Sequence, residues 1–174
     1  VPSSSIFNVW ESTMPDRRKD LVFCCNCIPS RHLNFGEDEV TVAILHFGVS
    51  HNNTNGKPRL NTSPLAPPTV IYGRHAHTLA NLFNDDGIPT IVANNPREIQ
   101  IAAAKKIAWS SLMWLMCHSF KNGYDGLLKV KEVHETKSSE LQRLVEEIMP
   151  ALESLASEPW TNSKTNVSSS LSIG

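Results

Sequence analysis

The order of apolar patterns predicts an α/β protein: a partial Rossmann-like sheet of about four strands, followed by a helical segment with one long buried helix. Three observations carry this. Asp20 to Ile28 (DLVFCCNCI) and Val40 to Val49 (VTVAILHFGV) are short, continuous apolar runs, the pattern of strands covered on both faces. Between Thr69 and Pro96 the period changes from strand to helix and back to strand. Beyond Pro96 only helical periods remain.

The elements follow in chain order. Residues 1–19, Ser/Pro-containing and then charged (MPDRRKD), read as an extended N-terminal arm. Residues 20–96 form an incomplete Rossmann-like α/β unit. It holds the two apolar strands, a Pro-rich loop from Asn52 to Pro68, a strand at Thr69 to Gly73, a helix from Arg74 to Asp86 ended by the turn DDG, and a strand at Ile88 to Ala93. Residues 97–157 are helical. Asn95 is placed to cap the first helix, with Pro96 at its first position and Glu98 in its first turn. That helix runs to about Phe120 and becomes apolar all round beyond Ile107, so it should sit inside the fold. KNGYDG breaks it. A last amphipathic helix spans Val133 to Ala156, with Leu141, Leu144, Val145, Ile148, Leu152 and Leu155 on one stripe. Residues 158–174, ending in a Ser/Asn-rich stretch, read as a flexible tail.

Only 19 residues precede the first apolar run, fewer than the ~30 of a complete strand-helix-strand unit. The sheet therefore reads as the second half of a doubly wound fold. Such a sheet lacks cover, so the isolated chain should be marginally stable.

Composition narrows the function. Lys plus Arg number 16 against 17 Asp plus Glu, a net charge of -1, without the basic excess that phosphate-backbone binding needs. The most apolar stretch, Ile107 to Phe120, is short of the ~20 residues of a bilayer span. No basic-then-apolar secretory signal is visible, which leaves the sequons at Asn52, Asn61 and Asn166 as weak matches. Cys24, Cys25 and Cys27 crowd one apolar run, where a strand would send Cys24 to one face and the other two to the opposite face. That spacing is too tight for a zinc knuckle, and the three read as small buried hydrophobes, as does Cys117. A redox-sensing role would need an exposed, electropositive setting that an apolar strand does not supply. His46, His75, His77 and His118 are scattered, so no metal site is expected.

The segments DLVFCCNCI, TVIYGRHAHTLANLFNDDGIPTIV and REIQIAAAKKIAWSSLMWLM together resemble the ketopantoate reductase family, especially its shorter relatives in algae and other photosynthetic eukaryotes. The resemblance covers residues 15 to 157 and rests on the order of these blocks. It places Asn26 on the family's turn asparagine beside the nicotinamide, with Cys25 and Cys27 in place of the flanking Gln and Gly. It places Lys106 on the lysine that acts as general acid toward the ketone. Ser110 and Trp114 replace two asparagines further along that helix, and Trp114 would fill space where substrate polar groups are recognised. No GxGxxG phosphate loop occurs in the sequence.

With these departures, the resemblance implies a pseudoenzyme: Asn26 and Lys106 persist as remnants, without an intact catalytic or cofactor-binding set. Read from its neighbours alone, Lys106 is a surface charge beside Lys105, and Asn26 a turn residue bonded to its own backbone. The implied function is an interaction or structural subunit of a larger assembly, with protein partners, no nucleic acid and no membrane span. The family's distribution suggests plastid stroma or the stromal face of a thylakoid complex such as photosystem I, and otherwise the cytoplasm. The alternative is an NADPH-dependent 2-ketoacid reductase, with NADP as cofactor, whose cofactor-binding half lies outside these residues.

Overall fold

The computed structural model describes residues 3–25, 40–51, 56–61, 66–119 and 128–157. Its elements are helix α1 (Ser3–Ser12), a 3-10 turn (Pro15–Asp20), strands β1 (Val22–Cys25), β2 (Thr41–Ile44), β3 (Gly48–His51), β4 (Pro58–Asn61) and β5 (Thr69–Tyr72), helix α2 (Ala76–Asp85), strand β6 (Thr90–Val92), and helices α3 (Pro96–Ser119), α4 (Val130–Thr136) and α5 (Ser138–Ser157). The α/β class holds, with a four-stranded sheet in the order β1-β2-β5-β6. The sheet is mixed rather than uniformly parallel. β1 runs parallel to β2 and β5 parallel to β6, but β2 and β5 are antiparallel, with Ala43 opposite Ile71.

The central strands explain the continuous apolar runs. Thr41, Val42, Ala43 and Ile44 are all buried, because β2 is covered on both faces. Val42 and Ile44 point toward α1 and α3, meeting Ile6, Trp10, Ile99, Ala102 and Ala103. Ala43 and Ile71 point the other way, onto Ala76 and Ala80 of α2. β1 differs: Phe23 and Cys25 are buried while Val22 and Cys24 face outward, so this strand has one covered face, not two.

The N-terminal residues are a correction. Residues 1–19 are not an extended arm, since α1 and the 3-10 turn occupy most of them. Ile6 and Trp10, one turn apart, insert into the core, and the Arg18 guanidinium lies 4.7 Å from the Trp10 ring centroid as a cation–π contact. α1 thus covers a sheet face that the sequence left bare. The loop expected over Asn52 to Pro68 also carries structure: β4 pairs antiparallel with β3, from Gly48 opposite Asn61 to His51 opposite Pro58. The pattern missed it because β3 and β4 have few buried side chains to set a period.

The βαβ turn chemistry agrees with the sequence. α2 closes in a Schellman motif, with Ile88 N–H bonded to Phe83 O and Gly87 N–H to Asn84 O, and Gly87 at φ 76°. At the N-terminus of α3, Glu98 N–H bonds to Asn95 Oδ1 and the Glu98 carboxylate accepts from Asn94 N–H, closing the predicted cap. α3 itself departs from expectation. Ile99, Ala103, Leu112 and Met116 are buried, but Trp109, Trp114 and Leu115 are 55%, 69% and 51% exposed. The final helical stretch is two helices meeting at Lys137, and Val133, Leu141 and Leu144 pack on Met113 and Met116. Among the described residues no helix is long and apolar enough to cross a membrane. The 158–174 tail and Asn26 lie outside the described residues.

Candidate functional site

Lys106 sits midway along α3, and its neighbour Lys105 points to solvent while Lys106 does not. One residue is 100° of helix rotation, enough to leave Lys105 at the exposed rim of the cavity and turn Lys106 toward the sheet. The Lys106 ammonium donates to the carbonyl oxygen of Leu45, the residue that follows β2. It is therefore not the surface charge suggested by the adjacent lysine. Burial pushes its pKa below the ordinary lysine value, and among the described residues no carboxylate pairs with it. An ammonium has three N–H donors, so two remain after the bond to Leu45.

His46 adjoins this point. Its backbone N–H donates to Thr69 Oγ1 at 3.1 Å, and its Nδ1 lies 2.9 Å from the carbonyl oxygen of Pro68. A carbonyl oxygen only accepts, so Nδ1 carries the hydrogen and Nε2 is the acceptor of the neutral ring. Burial first, then the charge of Lys106, lowers the imidazole pKa below its usual 6.5, while the bond to Pro68 acts in the opposite direction. Two groups of opposite hydrogen-bonding sense thus stand together: a cationic donor and a neutral ring whose Nε2 is an acceptor.

Together they open onto a cavity of about 770 Å³. Asn61 of β4, Lys105, Trp109 and His134 of α4 complete much of its wall. No Asp or Glu is among the described lining residues. The cavity lies where the chain leaves the carboxyl end of β2, which the antiparallel pairing sets beside the amino end of β5. A second cavity of about 460 Å³ follows along α3, lined by Trp109, Met113, Trp114, Cys117, Leu128 and other residues. The Trp114 indole stacks on His118, with ring centroids 4.9 Å apart. Trp114 therefore borders an open groove and does not fill the space beside Lys106; Ser110 lines the same groove.

The remaining candidates do not join this site. Cys24 is on the outward face of β1, where partial burial still raises its thiol pKa, and Cys25 is buried. Cys27 lies outside the described residues. His75 precedes α2, with its N–H bonded to Thr41 Oγ1. Among the described residues no three His, Cys, Asp or Glu side chains converge as a metal site requires.

The N-terminus of α3 is already occupied by Asn95 and the Glu98 carboxylate. Gly73, at the turn from β5 to α2, has φ 108°, but a Cβ there would stand 2.2 Å from Val40 O, so its backbone abuts β2 and cradles nothing. The sequence missed His46 as a site residue because the strand pattern absorbed it. The detectable signal was position: a polar ring two residues beyond an apolar strand. No family model matches the chain, and no curated protein or solved structure matches it either.

Proposed function

We propose that this chain is a ketopantoate-reductase-like binding module that holds a 2-oxo acid in the cleft at Lys106 and does not carry out hydride transfer with its own residues. The observation that carries this reading is the recessed Lys106 ammonium, charged yet without a carboxylate partner among the described residues. A half-buried cation in a cleft with no acid among its described lining residues favours an anion. A 2-oxo acid offers a carboxylate and an adjacent carbonyl oxygen, one acceptor for each remaining N–H of Lys106. Lys105 and His134 at the wall add cationic or donor capacity, and the Nε2 of His46 accepts from a hydroxyl or a bridging water.

Isothermal titration of the full chain with 2-oxobutanoate should show saturable binding. Lys106→Met, which keeps the aliphatic stem and removes the charge, should weaken it by ~10-fold or more, the scale of a charge-assisted hydrogen bond. Equal affinity in both proteins, or no binding to the native chain, overturns the reading.

A second reading is favoured by Trp114, Leu115 and Ile91, large apolar side chains left half-exposed or more on α3 and β6. They suit an interaction subunit of a larger assembly, in line with the implied plastid partner. Affinity purification under native conditions tests it: migration as a lone monomer overturns it, and stoichiometric recovery with one complex supports it.

A further inference from the structure

We infer that the ligand of the Lys106 cleft carries an extended apolar portion, making it a carboxylate-headed amphiphile and not a short acid. The inference rests on the reading just given and adds the nature of the ligand's far end. Its basis is Trp109, which lines both cavities and so sets them side by side along α3. Lys106, Trp109, Ser110, Met113, Trp114 and Cys117 recur at three- and four-residue steps, which puts them on one face of α3. From Lys106 to Trp114 this face runs ~12 Å. Its two ends differ in chemistry. At one end stand Lys106, Lys105, His46 and His134; at the other, Met113, Trp114, Leu128 and Val130 form a mainly apolar wall that also includes His118 and Lys129. Neither cavity has an acidic residue among its described lining residues, so the cationic end is complementary to an anionic head.

The exposed aromatic wall is what a short acid leaves unexplained. Trp109 and Trp114 keep more than half their surface in water, and the stacked His118 braces the Trp114 ring. An apolar chain or ring lying along them would bury that surface. A ligand confined to the first cavity would leave it wet.

The test compares 2-oxobutanoate, 2-oxooctanoate and 1-octanol on the full chain by titration calorimetry and tryptophan fluorescence. 2-Oxooctanoate should bind ~10-fold or more tightly than 2-oxobutanoate, since four further methylenes are removed from water. Trp114→Ala, a change at an exposed position, should erase most of that gain and leave 2-oxobutanoate unaffected. Lys106→Met should weaken both acids, and 1-octanol should bind far more weakly than 2-oxooctanoate. If the two acids bind equally to the native chain, the extended ligand is refuted while the 2-oxo acid reading stands. If 1-octanol binds as well as 2-oxooctanoate, the charged head is irrelevant and the inference fails. If neither acid binds, both fall. Sedimentation showing a dimer that Trp114→Asp dissociates, without discrimination between the acids, would mean that a second copy covers the wall, and would also overturn it.

Discussion

At the scale of single residues, Lys106 and His46 shift each other's chemistry. His46 is held neutral by burial and by the adjacent ammonium, so its proton is bound less readily in the folded chain than at the ordinary 6.5. The unfolded chain therefore holds more protons as pH falls through 6.5. This contribution to stability is complete above that value and is lost as pH drops toward the depressed folded one. Lys106→Met should raise the His46 pKa toward 6.5, followed by NMR titration of the imidazole protons; an unchanged value would mean that burial alone sets it. The sequence showed Lys106 as a candidate only through a family resemblance, because local pattern favoured a surface charge beside Lys105. His46 was hidden for a different reason. Its partners, Thr69 and Pro68, lie 23 and 22 residues away and are brought near by the antiparallel pairing of β2 with β5, which no local pattern encodes.

At the scale of elements, legibility followed burial and capping. The β5-α2-β6 unit was readable because its strands are apolar, its helix is amphipathic, and Gly87 and Asn95 mark helix ends with distinct backbone needs. The β3-β4 hairpin was not, since its outward side chains impose no alternation. Nor was the exposed face of α3. An apolar face open to a cavity and one packed against protein look alike in composition. Gly73 is the most constrained joint among these elements. With φ at 108° and Val40 O 2.2 Å from any added Cβ, Gly73→Ala must move β5 away from the start of β2. The expected cost is about 3 kcal/mol, read from urea unfolding. A loss below about 1 kcal/mol would show that the joint relaxes.

For the whole molecule, the decisive difference from expectation is cover. An uncovered half-sheet would have left the chain marginal, but α1 and α3 on one face and α2 on the other enclose the central strands. The chain alone should therefore unfold in one cooperative thermal transition. A variant lacking residues 1–12 would expose Val42, Ile44 and Phe23 where Ile6 and Trp10 now sit, and should lose that transition or aggregate. An unchanged melt would show α1 to be dispensable. Sequence reasoning could not see this role, since a ten-residue helix rich in serine is weak by propensity and forms against the sheet through tertiary contact.

The enclosure extends to one rim of the sheet. Asn84 of α2 reaches over β6, its Nδ2 donating to Thr90 O at 3.2 Å and its Oδ1 accepting from Thr90 N–H at 2.9 Å. A carboxamide here plays the part of a peptide group from a strand that is not there. A foreign chain zippering onto this border would find Thr90 already engaged, so fibril-like stacking is checked at this point by a single side chain.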